Sequence, residues 1–279
     1  MLFYYLLGIF NINRAMSNLF KEVGLKEVGR FKYLTTSEFP ERENIILLHG
    51  LMGGLSNFDY VINYFSEDYN VLLPLLPIYE LPLHETSLDG LLEYLEAFIV
   101  YKNLHDLNLV GNSLGGHIGL IYTLKHQSNV KTLTLTGSSG LFENAMGSTF
   151  PKRNNFEYIR QKTAETFYDP AMASPELVDD IFSAVSDRNK ALRIILTSKS
   201  AIRHNLTDEL KEIKIPTLLI WGANDIVTPP FVAEKFNELI PNSQLVWIEK
   251  CGHAPMMEHP KLFCDTLNDF LKKHSLVVR

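Results

Sequence analysis

Leu107-Asn108-Leu109-Val110-Gly111-Asn112-Ser113-Leu114-Gly115-Gly116-His117-Ile118 passes from an apolar run to a helical run with no spacer between them. Residues 107–110 suit a strand buried on both faces. Gly111-Asn112-Ser113-Leu114-Gly115 follows directly, and helical spacing runs from Leu114 to Lys125. A serine at that junction stands on a turn so tight that its backbone is strained, with the hydroxyl lifted above the sheet. Glycines two before and two after remove side chains that would collide there. The turn also lies at a helix N-terminus, where unpaired amides favour developing negative charge. A plain strand–helix turn that happens to contain serine would need neither the two glycines nor both flanking elements. Ser113 is therefore the candidate nucleophile.

The same alternation extends along the chain. Further apolar runs stand at Asn44–Leu48, 69–73, Val130–Thr136, 217–221 and Ser243–Ile248, with 30–35 as an earlier antiparallel strand. Between them Phe58, Val61, Ile62 and Phe65 keep helical spacing, as do Leu88, Leu91, Leu92, Leu95 and Ile99. Near the end Phe263, Leu267, Phe270 and Leu271 line one face of a last helix. The pattern predicts an α/β fold, a mostly parallel sheet with helices on both faces.

From 141 to 210 the strand pattern stops. Ser174-Pro175 reads as an N-cap followed by proline at the first helical position, and Asp187 opens another helical stretch. A segment this long is not a structureless loop within a compact domain. It is expected to be a helical cap, with Phe156, Phe167 and Phe182 as candidate positions for tuning substrate choice. The core is then 31–140 with 211–279, and 1–30 is an N-terminal extension. Residues 1–10 are almost wholly apolar but too few to span a bilayer. No basic region precedes them and no small-residue cleavage site follows. Met16-Ser17-Asn18-Leu19 is a more ordinary soluble start, so 1–15 reads as an over-extended start or loose appendage rather than a membrane anchor.

Composition bounds the function. The 279 residues are 46% apolar and 21% charged, ample for a buried core. A net charge of −6 argues against nucleic acid, which would call for a basic face. The two cysteines, Cys251 and Cys264, cannot form a disulfide framework and fit a reducing, cytoplasmic setting. Neither stands at zinc-ligand spacing, and no metal or cofactor is implied. The expected partner is a small acyl substrate, and the oligomeric state is left open.

A serine nucleophile needs a base and a carboxylate that orients it. Among nine histidines, His253 lies in Cys251-Gly252-His253-Ala254-Pro255, just past the last predicted strand. Asp225 closes Trp221-Gly222-Ala223-Asn224-Asp225, just past the strand before it. The order is serine, aspartate, histidine. The backbone N–H of Leu114 is one expected oxyanion donor. The other comes from His49-Gly50-Leu51-Met52-Gly53-Gly54, with Leu51 as the candidate. A phosphate loop would need the lysine and Ser/Thr that are missing here. His49 is expected to brace this loop rather than transfer protons.

His49-Gly50, the serine turn, Trp221-Gly222 with Asp225, and Gly252-His253 together resemble the α/β-hydrolase family from about Phe31 to Leu271. Gly111-Asn112-Ser113, Ser56-Asn57 and Lys250-Cys251-Gly252-His253 further resemble its meta-cleavage-product hydrolases, which cut carbon–carbon bonds. That likeness implies that Asn57 and Asn112 stand near the substrate. Two features depart from that likeness: Ala254 occupies the place where those enzymes usually carry tryptophan, and none of Arg160, Arg188, Arg193 and Arg203 is matched to their cap arginine. Three functions follow for comparison. The first is an esterase-like hydrolase with an acyl-enzyme on Ser113. The others are carbon–carbon hydrolysis of a vinylogous diketone and a ligand receptor that kept the fold without the chemistry.

Overall fold

The computed structural model describes residues 24–36, 38–52, 55–144 and 152–275. The expectation for residues 1–15 lies outside this set, as do Gly53 and Gly54 of the glycine loop and 145–151 of the expected cap.

Eight strands form one sheet: β1 (Gly24–Val28), β2 (Phe31–Thr35), β3 (Asn44–Leu48), β4 (Asn70–Pro74), β5 (Leu107–Asn112), β6 (Val130–Thr136), β7 (Thr217–Gly222) and β8 (Ser243–Ile248). Their spatial order is β1-β2-β4-β3-β5-β6-β7-β8. β2 runs antiparallel to β1 and β4, and all later pairings are parallel. Strands β4, β5 and β7 are buried along their whole length, as near-continuous apolar runs require. The sheet starts earlier than expected. Gly24–Val28, read from sequence as part of the extension, pairs with β2 in a hairpin whose turn uses Gly29 at φ +58°.

Helices cover both faces. α1 (Asp59–Phe65) and the C-terminal α9 (Pro260–His274) pack on one side, where Val61, Phe65, Phe263 and Leu267 join a shared core. α2 (Leu88–Tyr101), α3 (Leu114–Lys125) and α7 (Pro230–Leu239) cover the other through Leu91, Leu95, Ile118 and Phe236. Parallel pairing forces each connection to cross back over the sheet, so all the parallel strands end on the same edge.

Between β6 and β7 lie α4 (Phe156–Ala164), α5 (Pro175–Ser186) and α6 (Arg188–Arg203). Ser174 Oγ accepts from Leu177 N–H at 3.3 Å and caps α5. Asp187 Oδ1 accepts from the N–H groups of Asn189 and Lys190 and caps α6. These helices bury a small core of their own, with Ile159, Ala184, Val185 and Ile194 at its centre. The four-residue α8 (Pro255–Glu258) precedes α9. Among the described residues no helix is long and apolar enough to cross a membrane.

Candidate active site

Ser113 stands between β5 and α3 with φ +54° and ψ −120°. That conformation is held from both sides of the turn. Its N–H donates to Thr136 O at 3.1 Å, and its carbonyl accepts from His117 N–H at 3.1 Å and Ser139 N–H at 3.3 Å. The flanking glycines have steric reasons. A Cβ on Gly115 would lie 2.1 Å from Leu48 O, and one on Gly111 would lie 2.6 Å from Gly116 Cα. Side chains at either place would push the turn off the sheet.

His253 and Asp225 meet after β8 and β7. His253 Nδ1 lies 2.9 Å from Asp225 Oδ2, with the carboxylate fully buried and the imidazole 13% exposed. Asp225 also accepts from Val227 N–H, Thr228 N–H and the Thr228 hydroxyl at 2.8–3.0 Å. With its oxygens turned to these donors, the buried carboxylate accepts from the imidazole as well. Nδ1 is then the protonated nitrogen, and Nε2 is free to accept a proton. Burial pulls the imidazole towards its neutral form. The charge and hydrogen bond of Asp225 outweigh that, with Glu143 and Glu258 adding to them, and hold His253 above its ordinary value. Gly137 leaves room for the ring: at φ +52°, a Cβ there would stand 2.8 Å from His253 Nδ1.

Ser113 and His253 open onto one pocket of about 210 Å³. At roughly 10–15 Å³ per water molecule, this space has room for a ligand and is no packing defect. Leu51, Leu114, Asn57 and Asn112 line it too, so all seven predicted site residues except the buried Asp225 reach its wall. The N–H groups of Leu51 and Leu114 have no acceptor among the described residues. His49 braces the loop as expected, with Nδ1 2.9 Å from Gly50 O while Nε2 accepts from Leu76 N–H at 3.0 Å.

The two asparagines differ. Asn112 spends both amide protons on backbone, donating to Thr136 O at 3.0 Å and His253 O at 3.2 Å. It ties the ends of β5 and β6 to the histidine loop and has no proton left for a ligand. The buried Asn57 Oδ1 has no partner among the described residues. Of the three phenylalanines expected to tune substrate choice, Phe167 lines the pocket. Phe156 and Phe182 instead pack against each other, ring centroids 5.2 Å apart, away from its wall. None of Arg160, Arg188, Arg193 and Arg203 lines it.

Sequence reasoning missed two acidic residues. Glu143 lines the pocket from the loop after β6. Glu258 sits behind His253: it accepts from Gly252 N–H at 2.6 Å and from Tyr168 and Asp169 N–H at 2.8 and 3.3 Å. His253 N–H donates to Thr166 O at 2.8 Å. The histidine loop is thus fastened to the helical insertion. Glu258 falls five residues after His253, a spacing whose meaning only the folded backbone reveals.

The family model for the alpha/beta hydrolase fold matches residues 43–260. Lipase 3 of Moraxella sp. (strain TA144) is 30% identical over 251 residues, 82% of this chain and 76% of that protein. A 2-hydroxy-6-oxo-6-(2'-aminophenyl)hexa-2,4-dienoic acid hydrolase of Metapseudomonas resinovorans is 27% identical, covering 87% and 88%. A solved structure, the alpha/beta hydrolase enzyme MGS-MChE2 from the metagenome of Mar Chica lagoon sediments, is 43% identical with a TM-score of 0.74. It covers 90% of this chain and 98% of its own.

Proposed function

The chain belongs to the alpha/beta hydrolase fold family and is a hydrolase, and from that premise we propose that it cleaves carboxylic esters through an acyl-enzyme on Ser113. The carrying observation is the buried Asp225–His253 pair at 2.9 Å, whose imidazole opens onto the pocket that Ser113 faces. In this reading His253 Nε2 takes the Ser113 proton as Oγ attacks the acyl carbon. The tetrahedral oxyanion accepts hydrogen bonds from the N–H groups of Leu51 and Leu114. His253 then gives its proton to the alcohol oxygen as the ester C–O bond breaks. Water, deprotonated by the same nitrogen, frees the acyl group. The helical insertion serves as a cap over this chemistry, and the unpaired Cys251 and Cys264 fit a cytoplasmic enzyme.

Carbon–carbon cleavage of a dienoate is the second reading, favoured by the Metapseudomonas relative. Its leaving group is a carbanion that must be held as an enolate and protonated, so the site needs further donors matched to that charge. The pocket wall lacks an arginine among the four candidates, and the amide protons of Asn112 are already taken. Esters are therefore the better substrates. The deciding comparison is kcat/KM for p-nitrophenyl butyrate against a 2-hydroxy-6-oxo-dienoate. A dienoate value roughly a hundredfold higher, about 2.7 kcal/mol in the barrier, would reverse the ranking. Failure of Ser113 to react with a fluorophosphonate probe in folded protein would instead favour a receptor that lost the chemistry.

A further inference from the structure

Among the described residues three charge-bearing side chains reach the pocket wall: His253, Lys162 and Glu143. His253 is held by Asp225, and Lys162 is paired with Glu165 on its own turn. Glu143 has neither an ion pair nor a hydrogen bond among the described residues, although it is partly buried beside largely apolar neighbours. A carboxylate withdrawn from water without a donor is costly, and the cost is relieved when a donor arrives. The buried Asn57 Oδ1, which has no partner among the described residues, adds a second acceptor in the same wall.

Position says which part of a substrate would bring that donor. His253 feels three carboxylates: Asp225 behind the ring, Glu258 on the loop backbone, and Glu143. Only Glu143 of these lines the pocket. The alcohol portion of an ester departs past the pocket-facing edge of His253, because that imidazole must protonate its oxygen. Asn144 N–H donates to Val227 O at 2.7 Å and holds the Glu143 loop against the turn that carries Asp225, which puts Glu143 on the His253 side of the pocket, where the alcohol portion leaves. The apolar side chains of Phe167, Leu177 and Ile181 remain to receive the acyl chain.

We infer that Glu143 is a specificity-determining residue, selecting esters whose alcohol portion carries a further hydrogen-bond donor, an O–H or an N⁺–H. This rests on the ester reading above. A glyceryl or similar hydroxyl-bearing ester places its free O–H against the carboxylate, whereas a plain alkyl ester leaves Glu143 facing a methylene.

The test uses the full chain and three butyrates: glycerol monobutyrate, propyl butyrate and 2-(dimethylamino)ethyl butyrate, protonated at neutral pH. The wild-type protein should show kcat/KM at least roughly tenfold higher for one or both donor-bearing esters than for propyl butyrate, as expected for a hydrogen bond to a charged group. In Glu143→Leu that ratio should collapse towards one. Glu143→Gln keeps an accepting oxygen but no charge. It should retain part of a preference for the glyceryl ester and lose a preference for the cationic one, which tells the two donors apart. Equal rates on all three esters in the wild-type protein, or an unchanged ratio in Glu143→Leu, overturn the subsite while leaving the ester reading intact. No turnover of any ester overturns both.

Discussion

Ser113 holds a positive φ without being glycine, at a cost of about 1–3 kcal/mol. The cost is met by the three backbone hydrogen bonds and the close glycine contacts that surround the turn. None of those restraints involves the hydroxyl, so Ser113→Ala should fold normally while losing turnover by a factor on the order of 10⁴–10⁶. A variant that is native by circular dichroism yet keeps most of its activity would remove Ser113 from the mechanism. Asp225→Asn should also be severe, because an amide in place of the acceptor favours the wrong imidazole tautomer. With His253 as the proposed base, its titration should set the pH dependence. Only its neutral form accepts a proton, and its folded value is raised, so kcat/KM should fall as pH drops through a value above about 6.5. A rate flat from about pH 5 to 8, with chemistry limiting, would count against histidine as the base. Gly137→Ala tests the same ring from outside. The new methyl would collide with Nδ1, so activity should fall well beyond any loss of stability.

The strand ends bring these side chains together, and one clamp joins them to the helical insertion. Glu258 on α8 accepts from backbone on both sides, Gly252 next to the histidine and Tyr168 and Asp169 after α4. Glu258→Ala leaves those N–H groups without their carboxylate, and should cost about 2–3 kcal/mol in denaturant-induced unfolding. A loss below about 0.5 kcal/mol would mean the clamp carries no load. This connection was invisible in the sequence, since it pairs an acid with amides some 90 positions away. The strands themselves were readable, because buried parallel strands leave apolar runs. So were Ser174-Pro175 and Asp187, whose caps are written in local residue types. β1 was not: four of its five residues are exposed, so Gly24-Leu25-Lys26-Glu27-Val28 offers no alternation. α4 also escaped, with Ile159 and Thr163 its only buried residues, though Asn155 marks its start with an N-cap. The catalytic candidates were legible because each stands one turn past a strand. Glu143 follows no such pattern, and only the folded pocket gives it a place.

In the proposed reaction the work divides across the whole molecule between a sheet that fixes the reacting groups and an insertion that shapes the space above them. The strand ends supply Ser113, Asp225 and His253. The insertion supplies Phe167, Leu177, Ile181 and Ala201 to the pocket wall. Replacing a wall side chain should therefore change which acyl chains fit without disturbing proton transfer. Substitutions at Leu177 or Ile181 that remove or add a methylene should shift relative kcat/KM across an ester series by about 1–3 kcal/mol per methylene-sized change. Phe156 and Phe182 give the internal control. They pack edge to face within the insertion and do not line the pocket, so Phe156→Leu or Phe182→Leu should alter stability more than chain-length preference. The measurement is kcat/KM for p-nitrophenyl esters from acetate to decanoate in all four variants. A shift in preference from the Phe156 or Phe182 variants equal to that from Leu177 and Ile181 would mean the insertion acts as one deformable body. Specificity would then come from how the helices pack together, not from the side chains that face the substrate.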